Sequence, residues 1–257
     1  MKKTNSILAI ATLLLLPLIL FAGEKPNVQL AGVRIVGPGH GLNGSELRAF
    51  NQQSGTSIAL LVKAPENKNI IEVERSKCSL SEFTDNLGHD LLNSVHWDAF
   101  PDISEDGNLA LVEVESKNRP SQGASQLLAK GTIRLRMAAS SVTEKIENIK
   151  LEVGAEANVQ NSTVKVVKVE QANERLEVVL EMSRHFMDNM KDIRFYTVEN
   201  TPVEIWGRGS FTFGNVSQMD YTLDTDSVPK ALVIEMDLWQ ELETINLPFE
   251  IESGMGF

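Results

Sequence analysis

The chain of 257 residues has a single cysteine, Cys78, and four histidines, His40, His89, His96 and His185. One cysteine excludes an internal disulfide, so stability must come from ordinary burial. Cys78 has no histidine beside it in sequence and reads as a buried or half-buried thiol. The histidines stand singly, and neither a Gly-x-Ser-x-Gly elbow nor a His-Glu-x-x-His run occurs. Two tyrosines and three tryptophans are too few for the aromatic girdles of a membrane β-barrel. Positive charge is short as well: 24 Lys and Arg against 35 Asp and Glu leave a net −11. With no clustered basic stripe, such a chain repels phosphate, which excludes nucleic acid as a partner and disfavours anionic membranes.

Long apolar runs are absent except at the start. Lys2 and Lys3 precede an apolar stretch from Ile7 to Ala22, broken only by Thr12 and Pro17; Ala22 and Gly23 then lead into polar residues. Basic start, apolar middle and small-residue exit are the three parts of a secretory signal, expected over residues 1–23. The run is shorter than the roughly 20 residues that span a bilayer comfortably, so no membrane span is expected after its removal. No cysteine sits at the exit to carry a lipid. The mature chain is then about 235 residues and, without Lys2 and Lys3, carries −13. The expected location is the periplasm of a bacterium or the medium.

Short runs rich in Val, Ile, Thr and Phe alternate with Gly-, Asn- and Asp-containing turns over the remainder. Strands are expected at 32–36, 46–50, 57–62, 70–75, 109–115 and 131–137. A second set is expected at 149–153, 163–169, 176–182, 192–196, 203–206, 210–213, 219–223, 231–236 and 247–251. Residues 121–130 read as a short helix or loop excursion, and 238–244 as one helical turn. The halves echo each other: hairpins at 46–62 and 163–182, and Leu109–Glu113 against Ala231–Glu235, each followed by a polar excursion and a last strand. The expected fold is all-β, two tandem antiparallel β-sandwiches over 27–139 and 145–257, joined at Ser140-Ser141-Val142-Thr143. In strand spacing and export signal the chain resembles bacterial exported proteins with tandem immunoglobulin-like domains, although the disulfide and tryptophan signature of antibody domains is missing. The resemblance is one of architecture and implies binding modules rather than particular site residues.

Among local constellations, Asp102, Ser104 and Asp106, then Gly107 and Glu113, have nearly the spacing of a calcium-binding loop. Pro101 stands before it and 109–115 alternates like a strand, which would carry Glu113 some 20 Å from Asp106 at about 3.3 Å per residue. An acidic β-turn is the plainer expectation, with a loose calcium site at Asp102, Ser104 and Asp106 beside it. Asp85-Asn86-Leu87-Gly88-His89-Asp90 marks another turn, in which His89 lacks a second histidine at ligand spacing. The run Gly37–Gly44 has no lysine and reads as a connection rather than a phosphate cradle. Phe249, Ile251, Met255 and Phe257 alternate like the closing strand of an outer-membrane barrel, against the aromatic shortage already noted. The expectation is an exported non-enzymatic binding or structural protein whose partner is a protein or a cell-surface glycan. Its rivals are a calcium-dependent adhesion-type module and a periplasmic or secreted hydrolase.

Overall fold

The computed structural model describes residues 26–39, 52–98, 101–172, 175–225 and 228–255. The expected signal sequence, the strand at 46–50, part of the 37–44 glycine run and Phe257 lie outside them. In chain order the strands of the first half are β1 (Asn27–Val36), β2 (Gly55–Lys63), β3 (Asn69–Val73), β4 (Ser79–Asp85), β5 (His96–Trp97), β6 (Asp102–Ile103), β7 (Leu109–Ser116) and β8 (Gln126–Ala138). There follow β9 (Ser140–Lys150), β10 (Glu156–Val159), β11 (Ser162–Ala172), β12 (Arg175–Ser183), a helical turn α1 (Arg184–Asp188), β13 (Met190–Tyr196), β14 (Pro202–Val203), β15 (Ile205–Phe213), β16 (Val216–Asp224), β17 (Ala231–Gln240) and β18 (Glu243–Gly254).

Period-two burial drives these strands. In β2, Ile58, Leu60 and Val62 are buried while Ser57, Ala59 and Leu61 are half-exposed; β12 repeats the pattern with Leu176, Val178, Leu180 and Met182. All pairings are antiparallel and fall into four open sheets, none closing into a barrel. The first sheet runs β1-β2-β7 with β5 and β6 on the far edge of β7; the second runs β18-β8 with β3 and β4 on the far edge of β8. They share one core around Leu60, Phe83, Val112, Leu135 and Phe249. The third sheet runs β10-β11-β12-β16-β15 and the fourth β14-β13-β17-β9, around a separate core of Val164, Val178, Phe195, Tyr221 and Met236. Each pair of sheets is a β-sandwich.

Part of the strand order recurs in both, with β4 and β6 of the first and β10 and β14 of the second left without counterparts. The series β1-β2-β7-β5 corresponds to β11-β12-β16-β15, and β18-β8-β3 to β9-β17-β13. This alignment matches β7 with β16 and β8 with β17, so the sequence echo of 109–113 in 231–235 joins strands that are not equivalent. It also shows a crossing of the chain. After β8 the chain enters the second sandwich as β9 and pairs with β17; after β17 it returns as β18 and pairs with β8. The last strand therefore completes the first sandwich, not the second. The register does not slip at the crossing: Met137 lies opposite Glu243, and three residues on, Ser140 lies opposite Gln240. The two passages form one antiparallel ribbon, from Gln126 opposite Gly254 to Ile146 opposite Ile234, before a bulge. Arg136 fastens the junction. It donates to Glu72 of the first sandwich at 2.9 Å, to the Asp188 carbonyl of the second at 3.0 Å, and to the Asn189 side chain.

Several sequence expectations differ from this. Ser140–Thr143 is paired strand rather than linker. Residues 121–124 turn and 126–130 already belong to β8, while 238–244 holds the end of β17 and the start of β18, joined through Glu241 in a left-handed conformation (φ 52°). The 57–62 strand lies between β1 and β7, and the expected 46–50 half of its hairpin falls outside the described residues. Strand β4 went unread because a bulge between Leu80 and Glu82 breaks its alternation, and β9 because a bulge beside Asn148 (φ 56°) sets its buried Ile146 and Ile149 three apart.

A chain ending at Gln240 leaves β8 with a bare edge and strips Ile245, Leu247, Phe249 and Ile251 from the first core. Hydrogen exchange is expected to show lost protection at 58–62 and 133–137, retained protection at 176–180, and recovery on adding a peptide of residues 243–255. Full protection in the truncated chain would refute this dependence.

Candidate functional site

The surface that departs most from the folding pattern is the β15–β16 hairpin. The strands are joined at Gly214-Asn215, with Gly214 at φ 60° in the first turn position, the requirement of a type II′ hairpin. On β16, Ser217, Tyr221 and Leu223 point into the core. Their cross-strand partners put Thr212 and Arg208 on that inner face, and Thr212 meets Ser217 hydroxyl to hydroxyl at 2.9 Å. The alternate residues Gly207, Gly209, Phe211 and Phe213 therefore face outward, with Phe213 opposite Val216 and Phe211 opposite Gln218. Phe211 is 66 % exposed and Phe213 80 %. Trp206, at the bulge between Ile205 and Gly207, is 61 % exposed, with the Arg175 guanidinium 3.2 Å above its ring. Large side chains normally supply core; here three aromatics stand in water along one edge strand.

The neighbouring backbone bears on the same point. Gly207 and Gly209 are not at positive φ, and a Cβ at Gly209 would meet only the Asp220 Cβ at an ordinary 3.5 Å. The chain's own packing does not demand glycine there, although glycine weakens a strand. Among the described residues β15 is also an outer strand, bonded on one side only. Its single charge is Arg208, 3.6 Å from Asp192. The sequence carried a signal for this site: an aromatic-rich strand without proline and with Arg208 as its one charge. It went unread because Gly207 and Gly209 split the strand into two short runs, 203–206 and 210–213.

A second polar group lies on the outer face of the first sheet. Register places Arg34, Ser57, Glu115 and His96 in one row across β1, β2, β7 and β5. Arg34 donates to Ser57 Oγ at 3.1 Å and to Glu115 at 2.9 Å, with Glu113 at 3.6 Å; His96 Nε2 lies 2.8 Å from Glu115. A pocket of about 290 Å³ opens beside them. As chemistry the order is unsuited to a serine nucleophile, because the carboxylate stands between serine and histidine. His96 is held by the acid rather than by the hydroxyl it would have to deprotonate. The row is a carboxylate held between the Arg34 guanidinium and the His96 ring.

The sequence-derived calcium residues lie in the β6–β7 hairpin. Asp102 is in β6, and Ser104 and Asp106 form the turn. The Asp106 carboxylate accepts from Ser104 Oγ at 2.7 Å, the Asn108 amide N–H at 3.0 Å and Asn108 Nδ2 at 2.6 Å. Those donors hold it below the usual carboxylate range, with the Ser104 hydroxyl contributing most. Glu113 is far along β7, beside Arg34. Among the described residues no group of three His, Cys, Asp or Glu side chains converges as a metal site.

Asp85 is a structural centre. Only 4 % exposed, it accepts from the backbone N–H groups of Leu87 and His89 at 2.9 Å and of Ser121 at 2.6 Å, tying the 86–90 turn to the 121 loop. Burial pushes its carboxyl up, but these donors together outweigh it and the net shift is downward. His89 supplies a backbone donor here. Cys78 is half-buried: its Sγ accepts from Arg134 N–H at 3.4 Å, and burial raises the thiol above its ordinary value, the opposite of nucleophile activation. No protein-family model, no curated protein and no solved structure matches the chain.

Because Asp106 is satisfied by protein donors, Asp106→Ala is expected to lower the melting temperature equally with millimolar calcium and with a chelator; a calcium-induced rise abolished by this substitution would reverse the assignment. Asp85→Asn replaces one acceptor oxygen with a donor facing Ser121 and is expected to cost about 1–3 kcal/mol at neutral pH. Its folded value lies below the 3.8 of a free aspartate. The contribution is therefore complete above about pH 4 and declines as pH falls through the folded value. Denaturant titrations of wild type and variant are expected to converge on acidification; a gap that persists to the lowest pH would contradict this.

Proposed function

We propose that this is an exported, non-enzymatic binding or structural protein, built from two tandem immunoglobulin-like β-sandwiches and working through the aromatic β15–β16 hairpin. The carrying observation is the outward exposure of Trp206, Phe211 and Phe213 on a single edge strand. Solvated aromatic side chains on a rigid hairpin lose little conformational freedom on contact and are the residue types that dominate protein interfaces. The tandem reading is supported by the strand order that the two sandwiches share in part, β1-β2-β7-β5 beside β11-β12-β16-β15 and β18-β8-β3 beside β9-β17-β13. Export is supported by the basic, apolar and small-residue segments of residues 1–23. In this reading the protein acts in the bacterial periplasm or the medium, and its partner is a protein.

The rival readings have weaker support. A calcium-dependent module has only the Asp102–Asp106 turn, in which the Asp106 carboxylate already accepts from Ser104 and Asn108. A hydrolase has only the Arg34–Ser57–Glu115–His96 row, whose order does not activate the serine. The test is a photo-crosslinking residue in place of Phe211, introduced in the producing cell. A discrete protein adduct at position 211, absent when the label replaces the exposed Val153, is expected; no adduct under any growth condition would overturn the proposed contact surface.

A further inference from the structure

Resting on the reading of the β15–β16 hairpin as a contact surface, we propose that its occupant is a second copy of this chain, with β15 pairing antiparallel to β15 of the partner about a two-fold axis at Ser210.

The first argument comes from the sheet edges. A free edge invites strand addition, and proteins blunt edges with charge, proline, shortness or cover. The other edges here are blunted. β18 carries Pro248, Glu250 and Glu252; β9 carries Glu144, Lys145 and Glu147; β10 has four residues, and β5, β6 and β14 have two each. β3 and β4 are short and bulged. β1, ten residues with Arg34 as its one charge, is bulged between Leu30 and Gly32 and touches β18. β15 has nine residues, no proline and one charge.

The second argument is self-complementarity. Outward along β15 the side chains read Gly207, Gly209, Phe211, Phe213, two absent side chains and then two large ones. Antiparallel pairing with Ser210 opposite itself sets Phe211 against the partner's Gly209 and Phe213 against the partner's Gly207, on both sides of the axis. Cross-strand aromatics cover strand glycines, and this supplies the role for Gly207 and Gly209 that intrachain packing does not. On the inner face the same register puts Arg208 opposite the partner's Thr212, so no like charges meet. An isologous contact requires one patch to fit itself, and this pattern does. The interface also uses a long edge whose one charge is Arg208, which limits repulsion between copies of a strongly acidic protein.

The purified protein is expected to sediment as a concentration-dependent dimer, favoured by added salt as repulsion is screened. The double variant Phe211→Lys with Phe213→Lys is expected to sediment as a monomer and, since both positions are exposed, to melt where the wild type melts when diluted to monomer. The register is read by Ser210→Cys. Antiparallel partners lie about 4.5–5.5 Å apart at Cα, within disulfide reach, so mild oxidation is expected to give a covalent dimer, lost when the two Lys substitutions are added. A monomer at every concentration, or a dimer indifferent to the Lys substitutions, overturns the proposal. The photo-adduct at position 211 separates the two levels. An adduct of twice the chain mass supports the second copy. An adduct of any other mass on a monomeric protein overturns it while keeping the contact surface, and absence of any adduct removes both.

Discussion

Everything in this molecule depends on one antiparallel ribbon, β8–β9 against β17–β18. It supplies two neighbouring strands to each of two sheets, β8 and β18 to one and β17 and β9 to the other. Because side chains alternate with period two, sliding one strand of the ribbon by a single residue would turn Ile245, Leu247, Phe249 and Ile251 away from the first core. The same slide would turn Ile234, Met236 and Leu238 away from the second. The unbroken register at the crossing means that both cores are satisfied by the same alignment. The two sandwiches are thus connected by two paired strands rather than by a single linker, and Arg136 adds hydrogen bonds to both sides of the junction.

Acidic excess shapes the rest of the surface. With 24 cationic side chains for 35 carboxylates, single arginines serve several acids. Arg194 reaches Asp192, Asp237 and Glu235 across β13 and β17, and Arg34 reaches Glu113 and Glu115 across β1 and β7. The Arg194 guanidinium holds the Asp237 carboxyl below its ordinary value, and Thr143 donates to the same carboxylate from β9. Each exposed pair contributes little, about 0–1 kcal/mol. Their structural effect is to place charge along the outer faces of β-strands, which leaves the aromatic edge of β15, with Arg208 as its one charge, in sharper contrast.

Strand interiors were legible in the sequence where alternation was regular. β2, β7, β12 and β16 appear there within a few residues, because their buried sets fall on every second position. β4 and β9 were hidden by bulges, which add a residue and so break the period. The crossing of β9 and β18 was not legible at all. Either partner of β8 offers the same apolar alternation, and which one pairs is decided by three-dimensional closure of two cores. At the candidate site, the exposure of Phe211 and Phe213 was invisible for a related reason: a phenylalanine in an alternating run reads as core unless the strand is known to be an edge. Asp85 was recognised as a turn residue, but its span to Ser121 joins segments 36 residues apart and has no local signature.

The position of β18 has a consequence for how the chain comes into being. The first core is assembled from the beginning of the chain and from its last described strand, so its contacts reach across most of the molecule. A growing chain with only its first half available holds β8 without its long partner and the first core without Phe249. Folding of the first sandwich is therefore withheld until the whole polypeptide is present, and such long-range closure is slow. The sandwich begun first is the one finished last, and a chain cut short anywhere before residue 243 leaves that first unit open.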